Sequence, residues 1–215
     1  MLSYCLFIGV KQLLRRGFVA LVFYTVWNWW LLTLYFALAS WASWYAIRHK
    51  GEKRGRKMRL LHWVVVAVFH AESGALLIVD IITWAVLVPM LMNTPEGATK
   101  EFWRERLFCL ESYSQHGANF FMMAGELALN SIPVSLPAAG WHGVWASVYG
   151  LWSAAYFLRH GRAIYPFLDV KRPNAWLGYV FMVLAAWLAH GVVQTGILLR
   201  DGVHRRLGLH PKRQQ

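Results

Sequence analysis

Long apolar runs, punctuated by clusters of Lys, Arg, Pro and Gly, organise this chain of 215 residues. The first extends from Gly17 to Ile47, between Arg16 and Arg48. The second, Leu60–Met92, admits His62, His70, Glu72 and Asp80 and is most uniformly apolar over Gly74–Met92. Ser112–Ile132, Trp141–Leu158 and Ala175–Leu199 follow. A helix needs roughly 20 residues to cross a hydrocarbon core of about 30 Å. The pattern therefore predicts an all-α, polytopic membrane helix bundle with five clear transmembrane helices. Asn93–Gly97 is a turn signal that ends the second helix, and Pro133 and Pro137 bracket a short connection. Thr99–Glu111 reads as a surface helix, with Phe102, Trp103, Leu107 and Leu110 toward lipid and Glu101, Arg104 and Glu105 toward water. No internal repeat or low-complexity linker interrupts the chain. It divides into a short basic segment (1–16), one helix-bundle domain (17–199) and a basic tail (200–215).

Composition sharpens this picture. Hydrophobic residues make up 58% and charged residues 15%, against roughly 45–50% and about 25% in soluble domains. Cys5 and Cys109 are the only cysteines, which excludes a disulfide scaffold and a zinc-finger module. The apolar content excludes disorder. The net charge of +12 would suggest nucleic acid in a soluble chain. Here the basic residues lie between apolar runs, where they meet phospholipid headgroups or acidic neighbours, so membrane lipids are the expected partner and nucleic acid is not. The densest run, Arg48–Arg59, opposes seven Lys and Arg to Glu52 alone, which turns that connection toward the cytosol or the mitochondrial matrix. Met1–Phe18 carries Lys11, Arg15 and Arg16 without an acid. That is the chemistry of a mitochondrial targeting segment and equally of a membrane-anchor flank. The expected location is an integral position in the endoplasmic reticulum or the mitochondrial inner membrane.

Ionisable groups at membrane depth are costly and mark candidate sites. His116, Asn119, Glu126 and Asn130 follow one helical stripe, and Thr25 and Asn28 share a face of the first span. Thr25, His116 and Asp80 all fall in the same half of the membrane. A Thr hydroxyl becomes a nucleophile when a neighbouring imidazole takes its proton. Asn28 or Asn119 can orient that base or donate to a developing oxyanion, and Asp80 or Glu126 can hold the His tautomer. Glu126 lies three turns from His116 and cannot reach it along one helix. The competing reading is structural: Thr bonds its own preceding carbonyl, and His and Asn join helices. His70 and His190 lie at matching depths on antiparallel spans, as two axial haem ligands would, and His62 and His142 form a similar shallow pair. Neither H-E-x-x-H nor C-x-x-C-H occurs; no cofactor is expected. His190 and Gln194, four apart, read as a tie between helices.

Four ordered stretches carry a resemblance: Leu61-His62-Trp63, Phe23-Tyr24-Thr25-Val26-Trp27-Asn28, His116-Gly117-Ala118-Asn119 with Glu126 and Pro133, and Tyr165-Pro166-Phe167-Leu168-Asp169. Together they resemble the family of androgen-induced and androgen-dependent membrane proteins, small endomembrane enzymes that hydrolyse esters between fatty acids and hydroxy fatty acids. The resemblance implies a Thr25 nucleophile, a His116 base, no metal, a fatty acyl ester substrate and a six-helix cage with both termini cytosolic. The chain departs from that pattern at the front, where only Leu2–Val10 is apolar before Lys11; nine residues cannot cross a bilayer as a helix. This departure keeps an alternative open, an accessory subunit of a large organellar membrane complex that retains the fold without the activity.

Overall fold

All regular elements among the described residues of the computed structural model (1–50, 55–165 and 169–209) are helices. Glu52, Lys53 and Arg54 of the basic run, Pro166–Leu168 of the Tyr165–Asp169 motif and the tail from His210 onward lie outside the described residues.

The opening segment forms α1 (Leu2–Arg16), in which Cys5, Ile8, Gly9 and Gln12 recur at helical spacing and bury one face. Gly9 is required by proximity, since a Cβ there would lie 3.0 Å from the Trp30 ring. Gly17, at φ 66°, ends α1 in a conformation that L side chains rarely adopt. A 3₁₀ turn (Gly17–Val22) and extended Phe23 lead into α2 (Tyr24–Arg48), which is apolar round its circumference. The central element is α3 (Arg56–Ile81), packed against α2, α8 (Ala139–His160) and α9 (Ala175–Arg206). It runs through a π-helical turn (Ile82–Leu87) into α4 (Val88–Met92). Gly74 lets α8 approach, because a Cβ there would stand 3.1 Å from His142 Nδ1. Leu32, Tyr35, Phe69, Leu76 and Ile197 are among the most deeply buried residues of the core. Between α4 and α8 come α5 (Ala98–Leu107), α6 (Leu110–Tyr113), a second π-helical turn (Ser114–Ala118), α7 (Asn119–Leu129) and a 3₁₀ turn (Leu136–Ala138).

Three helical runs among the described residues are long and apolar enough to cross a membrane: Tyr24–Arg48, Arg56–Met92 and Ala175–Arg206. The expected five clear transmembrane helices are corrected at two places. Ser112–Ile132 is broken at His116, whose φ of −130° and ψ of 19° are non-helical. The regular helix beyond it has 11 residues, about 16 Å at 1.5 Å per residue, against a core of about 30 Å. α8 has 22 residues, but Gly, Ser, Tyr, Trp and His fill it, and these are uncharged without being strongly apolar. The three qualifying runs keep most of their apolar surface outward: Trp176, Phe181, Trp187 and Leu188 of α9 are all exposed. Such faces suit lipid. In lipid, close packing and interhelical hydrogen bonds hold helices together, because acyl chains are as apolar as Leu.

Candidate functional site

The two π-helical turns face each other. A π-turn widens the helix, frees carbonyls from the regular ladder and recurs at functional sites. The first presents Thr83 and Trp84, the second His116. Thr83 Oγ1 lies 3.0 Å from His116 Nδ1, both groups buried, and the Trp84 indole N–H donates to the His116 carbonyl. Asp80, one turn before Thr83, places Oδ1 4.0 Å from the same imidazole nitrogen. Asn119 Nδ2 donates to Asp80 Oδ1 at 2.9 Å and to the Gln115 carbonyl at 2.6 Å, so Asn119 aims the carboxylate. Asp80 Oδ2 is buried and has no hydrogen-bond partner among the described residues.

Helix α1 braces the segment that carries His116. Ser114 Oγ donates to the Leu110 carbonyl, so the Tyr4 hydroxyl donates to Ser114 Oγ at 2.7 Å. Gln12 and Gln115 exchange amide hydrogen bonds of 3.2 and 2.7 Å. Lys11 and Arg15 each approach the buried Glu111 carboxylate to 3.4 Å. Burial opposes ionisation of Glu111, but its own backbone N–H, the Cys109 thiol and the Lys11 ammonium outweigh it and hold its pKa below the usual value.

The remaining expected residues fall elsewhere. Thr25 opens α2 beside the Tyr165 phenol, whose oxygen also accepts the Tyr24 backbone N–H at 3.0 Å; the hydroxyl bonded to His116 is that of Thr83. Asn28 accepts the Trp145 indole N–H at 2.7 Å and ties α2 to α8. Glu126 accepts the Tyr35 hydroxyl at 2.7 Å. His70 and His190 do meet, with ring centroids 5.9 Å apart. Gln194 Oε1 accepts the Ser135 N–H at 2.7 Å, so its amide nitrogen faces His70 Nδ1, 3.3 Å away, as donor. That assignment makes His70 Nδ1 an acceptor and puts the ring proton on Nε2; Nε2 and both ring nitrogens of His190 are buried with no hydrogen-bond partner among the described residues. His142 turns to the Ala71 carbonyl at 3.1 Å. Among the described residues, no group of three or more His, Cys, Asp or Glu could hold a metal.

Thr83, Trp84 and Gln12 were absent from the sequence reading. The spacing of Asp80 and Thr83, three apart and so on one helix face, was the available signal for Thr83. Nothing local marked Gln12, whose partner is 103 positions away. Compared with protein-family models, with curated proteins and with solved structures, the chain matches none.

Proposed function

We propose that this chain is an intramembrane hydrolase of fatty acyl esters in which His116 serves as the base. The observation that carries this reading is the 3.0 Å contact of Thr83 Oγ1 with His116 Nδ1 across the facing π-turns. Thr83 oxygen attacks the ester carbonyl carbon while its proton passes to Nδ1. The ester C–O bond then breaks, and the alcohol leaves with that proton. Water, losing a proton to the neutral imidazole, cleaves the acyl-threonine, releases the fatty acid and restores the hydroxyl. Asp80, aimed by Asn119, favours the transient imidazolium. The resemblance supports the substrate class and an endomembrane location, and it names Thr25 as the competing nucleophile.

The test is turnover of p-nitrophenyl and hydroxy-fatty-acid esters by purified protein in detergent. His116→Gln and Thr83→Ala should each lower kcat at least about 10²-fold, with melting temperature as the folding control. Loss in Thr25→Ala with full turnover in Thr83→Ala would transfer the nucleophile to Thr25. Full turnover in a folded His116→Gln protein overturns the hydrolase reading.

A second reading, a non-catalytic subunit of a larger organellar membrane assembly, draws support from α9, whose apolar window is 17% buried within the chain. Native mass in mild detergent decides it. Recovery of the endogenous protein only in a particle many times 24.8 kDa, with His116→Gln silent in the ester assay, supports the subunit.

A further inference from the structure

The outer face of α1 carries Leu6, Phe7, Val10 and Leu14, all exposed, along an open trough of ≈ 820 Å³ that Lys11 and Arg15 also line. Lys11 and Arg15 flank the apolar stripe and share one carboxylate, Glu111. Arg16 reaches the Arg106 carbonyl at 3.4 Å and Cys109 Sγ at 3.3 Å, which places a third cation at the end of α1, beside the segment that carries Glu111. Arg106 supplies a fourth, its guanidinium over the Phe102 ring at 4.0 Å. Burial, and then the neighbouring Arg16, hold the Arg106 pKa below its usual value. Among the described residues, Glu111 is the only carboxylate ion-paired to these four cations. The surplus positive charge calls for an anion, and the adjoining stripe calls for hydrocarbon.

We infer that this face of α1 is a binding site for an anionic phospholipid, with an acyl chain along Leu6, Phe7, Val10 and Leu14 and the phosphate at Lys11, Arg15, Arg16 and Arg106. Both requirements meet in one occupant. A soluble anion would leave the apolar trough uncovered, and a zwitterionic lipid would leave the charge surplus uncompensated. Juxtamembrane basic clusters attract anionic leaflets by the same electrostatics. The inference is independent of ester hydrolysis.

Native mass spectrometry of the full chain in a neutral detergent tests it, with dioleoyl phosphatidylglycerol and dioleoyl phosphatidylcholine supplied together. The expected result is at least tenfold preference for phosphatidylglycerol adducts. Arg16→Gln with Arg106→Gln should erase that preference while leaving the Glu111 pairs in place. Phe7→Ser with Leu14→Ser, both at exposed positions, should weaken adducts of both lipids without altering the melting temperature. Equal adduct levels in the wild-type protein overturn the inference. Displacement of phosphatidylglycerol by equimolar glycerol phosphate does so too, because the site would then read phosphate alone.

Discussion

Glu111 joins two helices through a single carboxylate. Its side chain is 1% exposed, yet Lys11 and Arg15 both reach it from the surface. Its pKa lies below 4.5 when folded, so the folded state binds that proton less readily than the unfolded chain. The resulting stability is complete above the ordinary carboxylate pKa and is lost as pH falls through the lowered folded value. Thermal unfolding followed downward from pH 7 should show the melting temperature dropping below about pH 4.5. Glu111→Gln should be less stable at pH 7 and should lack this part of the acid dependence; identical pH profiles would contradict the assignment. At this scale the sequence was half legible. His116 and Asn119 were visible as polar groups in an apolar setting, but the stripe that joined them to Glu126 assumed a regular helix. The π-turn and the non-helical backbone at His116 take that residue off the stripe and send it to Thr83, while Asn119 and Glu126 stay on one face of regular α7, two turns apart, and reach Asp80 and Tyr35.

Between elements, the decisive contacts are close approaches and long polar reaches. Gly9→Leu would drive a side chain into Trp30 and should cost about 1–3 kcal/mol as overpacking, read as a fall in melting temperature. An unchanged value would mean that α1 is not seated on α2 as described. Arg200 is buried and donates to the Leu127 and Ile132 carbonyls and to Asn130 Oδ1, fastening α9 to the end of α7. Arg200→Met removes the donor to the Leu127 and Ile132 carbonyls, at about 1–3 kcal/mol for each acceptor left unpaired, while Asn130 Oδ1 keeps the Ile132 N–H; the variant should unfold earlier than the wild type in chemical denaturation. The helical segments were readable from apolar runs with few or no charges, and so was the turn at Asn93–Gly97. The number of spans was not, because absence of charge is a weaker property than apolarity. Trp, Tyr, Gly, Ser and His keep Trp141–Leu158 uncharged and still leave α8 outside the hydropathy of a spanning helix. Arg200 was hidden for a related reason, since it stands in a basic tail but folds inward onto carbonyls freed at the end of α7.

For the whole molecule, three long helices with outward apolar faces predict that alkaline carbonate will leave the protein in the membrane pellet. Release into the supernatant would contradict membrane embedding. The assembly around α3 also explains why the polar cluster and the brace are inseparable: α3 supplies Asp80 and leads into Thr83, while α1 fixes the segment that brings His116 to them. The paired π-turns have a consequence for how such a molecule tolerates change. Each holds one residue more than the α-turn it replaces, so its geometry is stored in chain length and not in any single side chain. Removing Ala118 would let the helix run regularly while shifting the phase between His116 and Asn119 by about 100°. Asn119 would then swing away from Asp80 although every remaining side chain is unaltered. In a mutational library, codon changes at Ala118 should be broadly accepted, whereas loss of that one codon should give a well-folded protein with a dismantled site.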